Sequence, residues 1–343
     1  MKKQPIKSIY FIKAICALGI IVFHFGREVT GINTALLTSY VNGDWGETLV
    51  TVFFAVSGAL LYYHYSDGNM NLPQYLWRRW KGIYPMFYLA YFCFMLIRIY
   101  ELGSLFYYDA PWAYGVTLLG MDGYLINSVG VYYIVGEWFL GAIVIMYLLY
   151  PVILPFWKKN HMATFGLILA VYLLFYNKPI TNAVGFCTVS SCLMSFAFGM
   201  LFMEHREFFT SKAGTAAALL GCLVLYFVKL PISANGADHL FGGCLLIVLT
   251  AIGEHLMGYG PVEKLFRTLG TLSYPVFLVH HEMLYLLLDH WQPDTVWEVV
   301  AFLMAGICVI LLAAKLLAMA TDIMMKFFHR FFGKILAKNR VMS

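Results

Sequence analysis

Charge is what this sequence has least of. Only 12% of its 343 residues are Asp, Glu, Lys or Arg, whereas a soluble domain carries about 25%. So few charges cannot clothe a water-facing surface at this length, which excludes a soluble enzyme as well as a disordered chain. The seven cysteines (Cys16, Cys93, Cys187, Cys192, Cys222, Cys244 and Cys308) all lie in apolar runs and none forms a CxxC pair. That pattern lacks a disulfide framework, and no metal site is read from it. The net charge of +5 comes from bases dispersed between apolar runs, so no nucleic-acid partner is expected. A small-residue cleavage site is also missing after Phe25, and similar runs follow, so the first run is not read as a signal peptide.

What the sequence has is hydrophobicity: 61% of residues and a mean hydropathy of +0.75. About ten runs approach the roughly 20 residues that cross a bilayer as a helix. They fall near 9–27, 46–65, 83–101, 136–156, 161–177, 185–203, 213–230, 239–257, 269–289 and 297–321. None shows the period-2 alternation of barrel strands. The expected fold is all-α, a polytopic integral membrane protein of about ten transmembrane helices. Lys and Arg gather at alternate ends of the runs, as in Lys2-Lys3, Arg78-Arg79-Trp80-Lys81 and Lys158-Lys159, while the opposite side has only Arg27, Lys178 and Lys229. The positive-inside rule therefore predicts both termini in the cytoplasm. Residues 1–325 read as the membrane domain, and 326–343 as a basic amphipathic cytoplasmic tail. Two outer loops are long, 28–45 and 102–135; the second, with Asp109 and Asp122, either lies on the surface or dips back into the protein. No internal repeat is visible.

Ionisable groups within spans carry functional weight by default. Lys13 and His24 share the first span, 11 residues apart, which puts them within about 20° of one helix face and about 16 Å apart along it. Each alone has a structural reading, Lys13 as a base snorkelling to the interface and His24 as a hydrogen-bonded packing residue. Together they describe a polar track across the membrane. The cluster Trp77-Arg78-Arg79-Trp80-Lys81 is either topogenic charge or a site for a phosphorylated ligand. Glu137 opens the fourth span near the depth of His24, His280 and His281 lie in the ninth, and Arg98 with Glu101 forms an i,i+3 pair.

Several of these residues sit in segments that resemble the membrane acyltransferase-3 family. Lys13-Ala-Ile-Cys-Ala-Leu-Gly-Ile-Ile-Val-Phe-His24-Phe is similar to its opening motif, a base and a histidine separated by ten residues. Phe53-Phe-Ala-Val-Ser57-Gly58, Arg78-Arg79…Ile83-Tyr84-Pro85, Trp138-Phe-Leu…Tyr147-Leu-Leu-Tyr-Pro151 and Leu269-Gly270…Ser273-Tyr274…His280 resemble its later motifs in order. The resemblance implies a multi-pass protein of the bacterial plasma membrane. It would move an acyl group, usually acetyl, from cytoplasmic acyl-CoA to a hydroxyl of an extracytoplasmic sugar, glycan or glycolipid. Acyl-CoA is then a co-substrate and no cofactor is permanently bound. By resemblance His24 is the catalytic histidine, as base or as acyl carrier, and Lys13, Arg78, Arg79 and Lys81 bind acyl-CoA. Ser57, Ser273, Tyr274 and His280 support the site, Tyr274 or a nearby hydroxyl as an oxyanion donor. The chain departs from the family at Gly82, where an Arg is common and Lys81 is the nearest substitute. It departs again at Ile143, where many members have Glu; Glu137 takes that catalytic carboxylate role or it is absent. The rival expectation is a transporter or flippase with Lys13 and His24 on its pathway, which the missing repeat disfavours.

Overall fold

A computed structural model describes residues 4–68, 70–106, 110–176, 187–289 and 291–341, with the side chains of 329 and 331–341 excepted. Lys2, Lys3, Asp109, Lys178 and the tail side chains Lys334, Lys338 and Arg340 therefore lie outside the described residues. Helix α1 (Lys7–Glu28) is followed by α2 (Ala35–Thr38), a hairpin of β1 (Ser39–Tyr40) and β2 (Gly43–Asp44), and α3 (Trp45–Tyr65). Next come α4 (Leu72–Leu102), the short α5 (Tyr114–Leu118) and α6 (Asp122–Leu125), then α7 (Glu137–Lys159), α8 (His161–Phe175) and α9 (Val189–Glu204). The chain continues as α10 (Arg206–Phe209), α11 (Lys212–Phe227), α12 (Ala234–Leu256), α13 (Gly260–Thr271), α14 (Ser273–Leu288) and α15 (Val296–Val341).

Six of these helices are long and apolar enough to cross a membrane: α1, α3, α4, α7, α12 and α15. The other four expected spans fall on helices of 15 or 16 residues, α8, α9, α11 and α14. The protein is thus a helical, multi-pass membrane protein. The expected span 269–289 divides at Leu272, because α13 is a separate helix whose polar face carries Lys7–Glu263 (2.7 Å) and Arg267–Glu263 (2.5 Å) ion pairs. Helix α15 continues unbroken through residue 326.

Helix ends follow local sequence rules. The Asp44 carboxylate accepts from the backbone N–H groups of Gly46 (2.8 Å) and Glu47 (3.3 Å) and starts α3. Asn71 caps α4 through Gln74 N, and Gly103 ends it with φ +70°. Each capping side chain satisfies amides that the first turn leaves orphaned.

The core forms around α1, which packs against α3, α12, α13 and α14. Its apolar positions Ile12, Cys16, Ile21 and Phe25 are fully buried. Helices α3 and α9 cross with backbones in direct contact: a Cβ at Gly58 would strike the Phe196 carbonyl, and one at Gly199 the Ala55 carbonyl. Small residues permit such close crossings where lipid offers no hydrophobic drive between helices. Tyr150 donates to the Leu61 carbonyl (3.0 Å) and Tyr75 to that of Tyr147 (2.7 Å), tying α3 and α4 to α7.

Both long connecting segments fold onto the bundle over part of their length. In 28–45, Tyr40 donates to Asp238 Oδ1 (2.7 Å), and Asn42 donates to the carbonyls of Leu225 and Val228 (2.6 Å each). Of 102–135, residues 113–135 pack back onto the protein, with Tyr124, Val131, Tyr132, Ile134 and Val135 buried and Tyr91 donating to the Tyr132 carbonyl (2.6 Å), whereas 102–106 and 110–112 lie on the surface.

Candidate active site

A cavity of about 250 Å³ opens between α1, α3, α4, α7 and α14. Lys13 and His24 both line it, so the shared face of α1 runs along its length. Ser57 of α3, Glu137, Trp138 and Tyr147 of α7, and Ser273 and Tyr274 of α14 add further polar groups to its lining. Most of the remaining wall is apolar, with Phe53, Phe139, Ile143 and Phe277 prominent. An apolar cavity with few convergent polar groups is the usual form of a small-molecule site.

One end of the cavity holds a compact polar cluster. His24 Nε2 lies 4.0 Å from Glu137 Oε2. His280 Nε2 and His281 Nε2 lie 3.2 and 2.9 Å from Glu137 Oε1. The His24 ring is 4.1 Å from that of His281 and 4.9 Å from that of His280, centre to centre. Glu137 is aimed here by the chain's entry into α7: Gly136 has φ +95° and Glu137 itself φ +32°. Among the described residues Glu137 is the only non-glycine with positive φ. Strain of that kind persists where the surroundings over-determine it, and it concentrates at functional sites. Gly123 packs directly on the Glu137 backbone, where any Cβ would collide.

The basic segment meets the opposite part of the cavity only in part. Gly82 and Ile83 line it, whereas Arg78, Arg79 and Lys81 do not. Arg78 and Lys81 are exposed. Arg79 instead spreads over the rings of Tyr75 (5.8 Å) and Tyr147 (5.4 Å), and Tyr147 is itself a wall residue. Beside it Trp77 and Trp80 stack 5.0 Å apart at 11°, both exposed. Beyond its own helical turn, no atom stands within 4 Å of the place a Cβ would occupy at Gly82, which is exposed. Tyr274 donates its hydroxyl to the Ile83 carbonyl (3.0 Å). Its proton is thereby engaged, and the residue ties α14 to the basic segment. Ile143 forms apolar wall, which leaves Glu137 as the carboxylate beside the histidine.

The family model of an acyltransferase domain, that of the acyltransferase-3 family, matches residues 6–315. The chain belongs to this family. It is a membrane acyltransferase, and the matched region contains every residue of the cavity. No curated protein and no solved structure matches the chain.

In this acyltransferase Lys13, His24, Ser57, Glu137, Ser273 and Tyr274, each a candidate from the sequence, line one cavity. His280 is completely buried behind the wall and reaches the cavity through Glu137. His281 has no role in the sequence reading beyond packing beside His280, yet it makes the shortest contact to Glu137. Adjacent histidines in an apolar run are the available signal, since two costly groups on successive helix positions need a common partner. Arg98 does pair with Glu101 (3.1 Å), and it also reaches Glu282 on α14 (3.2 Å).

Proposed function

We propose that this protein transfers an acyl group, acetyl by preference, from acyl-CoA to a hydroxyl of a sugar, glycan or glycolipid, with His24 as the catalytic residue. The bases at Arg78, Arg79 and Lys81 would hold the phosphorylated end of the donor at the cytoplasmic face of a bacterial plasma membrane. Its arm would pass Lys13 along the α1 face and bring the thioester to His24. The acceptor would approach from the other side of the membrane. The single observation that carries this reading is that Lys13 and His24, about 16 Å apart on one helix face, line the same cavity.

The chemistry balances with these groups. The acceptor hydroxyl gives its proton to an imidazole nitrogen of His24 while its oxygen attacks the thioester carbonyl. The tetrahedral intermediate collapses with cleavage of the C–S bond. The leaving thiolate recovers the proton from His24, which returns to its starting state. Glu137, 4.0 Å from His24 Nε2, is the counter-charge to the transient imidazolium. The apolar wall keeps water from competing with the acceptor.

Purified protein supplied with labelled acetyl-CoA and a glycolipid acceptor tests the reading. His24→Ala should lower transfer by about 10²–10⁴-fold, the contribution of a positioned base. Lys13→Ala should impair donor use, and Lys13→Arg should retain more of it because the charge is kept. Transfer by the His24 variant above a tenth of wild type would sink the assignment.

A further inference from the structure

The contacts around Glu137 do not close as hydrogen bonds. His280 Nδ1 lies 2.9 Å from the Phe277 carbonyl and 3.2 Å from that of Val276. Carbonyls only accept, so Nδ1 carries the hydrogen, and the Nε2 of a neutral His280 presents its lone pair. That lone pair stands 3.2 Å from Glu137 Oε1 in a place with no solvent exposure on the histidine. Two acceptors held at that distance in a buried site repel unless a cation lies with them. Neither His280 Nε2 nor Glu137 Oε1 has a hydrogen bond of acceptable geometry, and His281 Nδ1 has none either.

The donor set answers to a metal. His24, Glu137, His280 and His281 each offer one ligand atom, and the four lie within 4.8 Å of one another. Zinc bonds of about 2.0–2.2 Å in a tetrahedron put neighbouring ligand atoms about 3.3–3.6 Å apart; the Glu137 contacts to His280 and His281, 3.2 and 2.9 Å, lie a few tenths of an ångström inside that spacing. Two imidazoles and one carboxylate are a common zinc set, with a fourth position left for water or substrate. The hydrogen bond from His280 Nδ1 to a backbone carbonyl is the orienting contact that metal-bound histidines usually have. Strained Glu137 is delivered to the cluster from α7, while both histidines come from α14.

We propose that Glu137, His280 and His281 bind a divalent metal ion of the zinc class, with its open position facing His24 and the cavity. The metal site stands whether or not His24 is the base of the transfer reaction.

Elemental analysis of detergent-purified full-length protein, with Zn²⁺ supplied and excess removed by dialysis, tests this directly. Stoichiometric zinc is expected in wild type and in His24→Gln, and its loss is expected in His281→Ala and Glu137→Gln. A chelator should strip the metal from wild type and lower its melting temperature, and Zn²⁺ should restore both. Co²⁺ in its place should give the intense visible bands of a four-coordinate site, a readout on the wild-type chain that needs no variant to fold. Folded wild type that takes up neither Zn²⁺ nor Co²⁺ would overturn the proposal. Zinc retained equally by folded His281→Ala and Glu137→Gln would overturn it too, by placing the metal elsewhere.

Discussion

Replacing Gly58 with alanine should destabilise the protein although alanine is the better helix former. Glycine inside a helix costs roughly 0.5–1 kcal/mol relative to alanine, so on propensity alone the change would be favourable. At Gly58, however, the new methyl would meet the carbonyl oxygen of Phe196, which belongs to helix backbone and cannot rotate away. Relief requires α3 and α9 to move apart, and overpacking of this kind costs about 1–3 kcal/mol. The net expectation is a destabilisation of about 0–2.5 kcal/mol, centred on about 1 kcal/mol, after the propensity gain is subtracted. Gly199→Ala strains the same crossing from the other side, against the Ala55 carbonyl. The double variant should therefore be destabilised by less than the sum of the two single variants, since one separation relieves both clashes. Gly166 of α8 is the control: no atom lies within 4 Å of where its Cβ would be, so Gly166→Ala should be neutral or stabilising. The assay is thermal or denaturant unfolding in detergent. Gly58→Ala as stable as Gly166→Ala, or strictly additive effects at Gly58 and Gly199, would refute the close crossing. Because Ser57 and Phe53 of α3 line the cavity, Gly58→Ala should also lower transfer activity.

Arg78→Ala combined with Arg79→Ala should weaken acyl-CoA binding by about 1.5–3 kcal/mol for each arginine–phosphate hydrogen bond removed, with little change in acceptor binding; unchanged coenzyme A affinity in titration calorimetry would return the cluster to a topogenic role. Burial raises the Asp122 carboxyl from 3.8 to about 6, against a hydrogen bond from Thr117 that favours the ionised form. The folded state then binds the extra proton between about pH 4 and 6, so this group's contribution to stability falls as pH rises through that window. Asp122→Asn should flatten that part of the stability profile, and an unaltered profile in pH-dependent melting would contradict the raised value.

The residues legible in the sequence are those whose chemistry conflicts with their surroundings. Lys13 and His24 stand out because an apolar helix has no local use for them, and helical geometry alone places them on one face. The long apolar runs are equally plain, since 20 residues of hydrocarbon have few other uses. The division at Leu272 is less so: α13 is short, and its Glu263 pairs both with Arg267 of the same helix and with Lys7, 256 residues away in the chain. The packed course of 113–135 is also set by distant partners, such as Tyr91 and Tyr132. Glu137 is recognisable by its depth. Its aim towards His280 and His281 depends on two successive positive φ angles, a backbone feature that Gly136 hints at without specifying.

The most direct test of the central claim is sidedness in sealed proteoliposomes of known orientation, with labelled acetyl-CoA added to one compartment and the glycolipid acceptor to the other. Transfer is expected when the donor is on the side bearing Arg78 and Arg79, none when it is on the opposite side, and transfer lowered by about 10²–10⁴-fold in His24→Ala. Equal use of the donor from both faces of vesicles shown not to leak, or transfer by His24→Ala above a tenth of wild type, would contradict the cross-membrane mechanism.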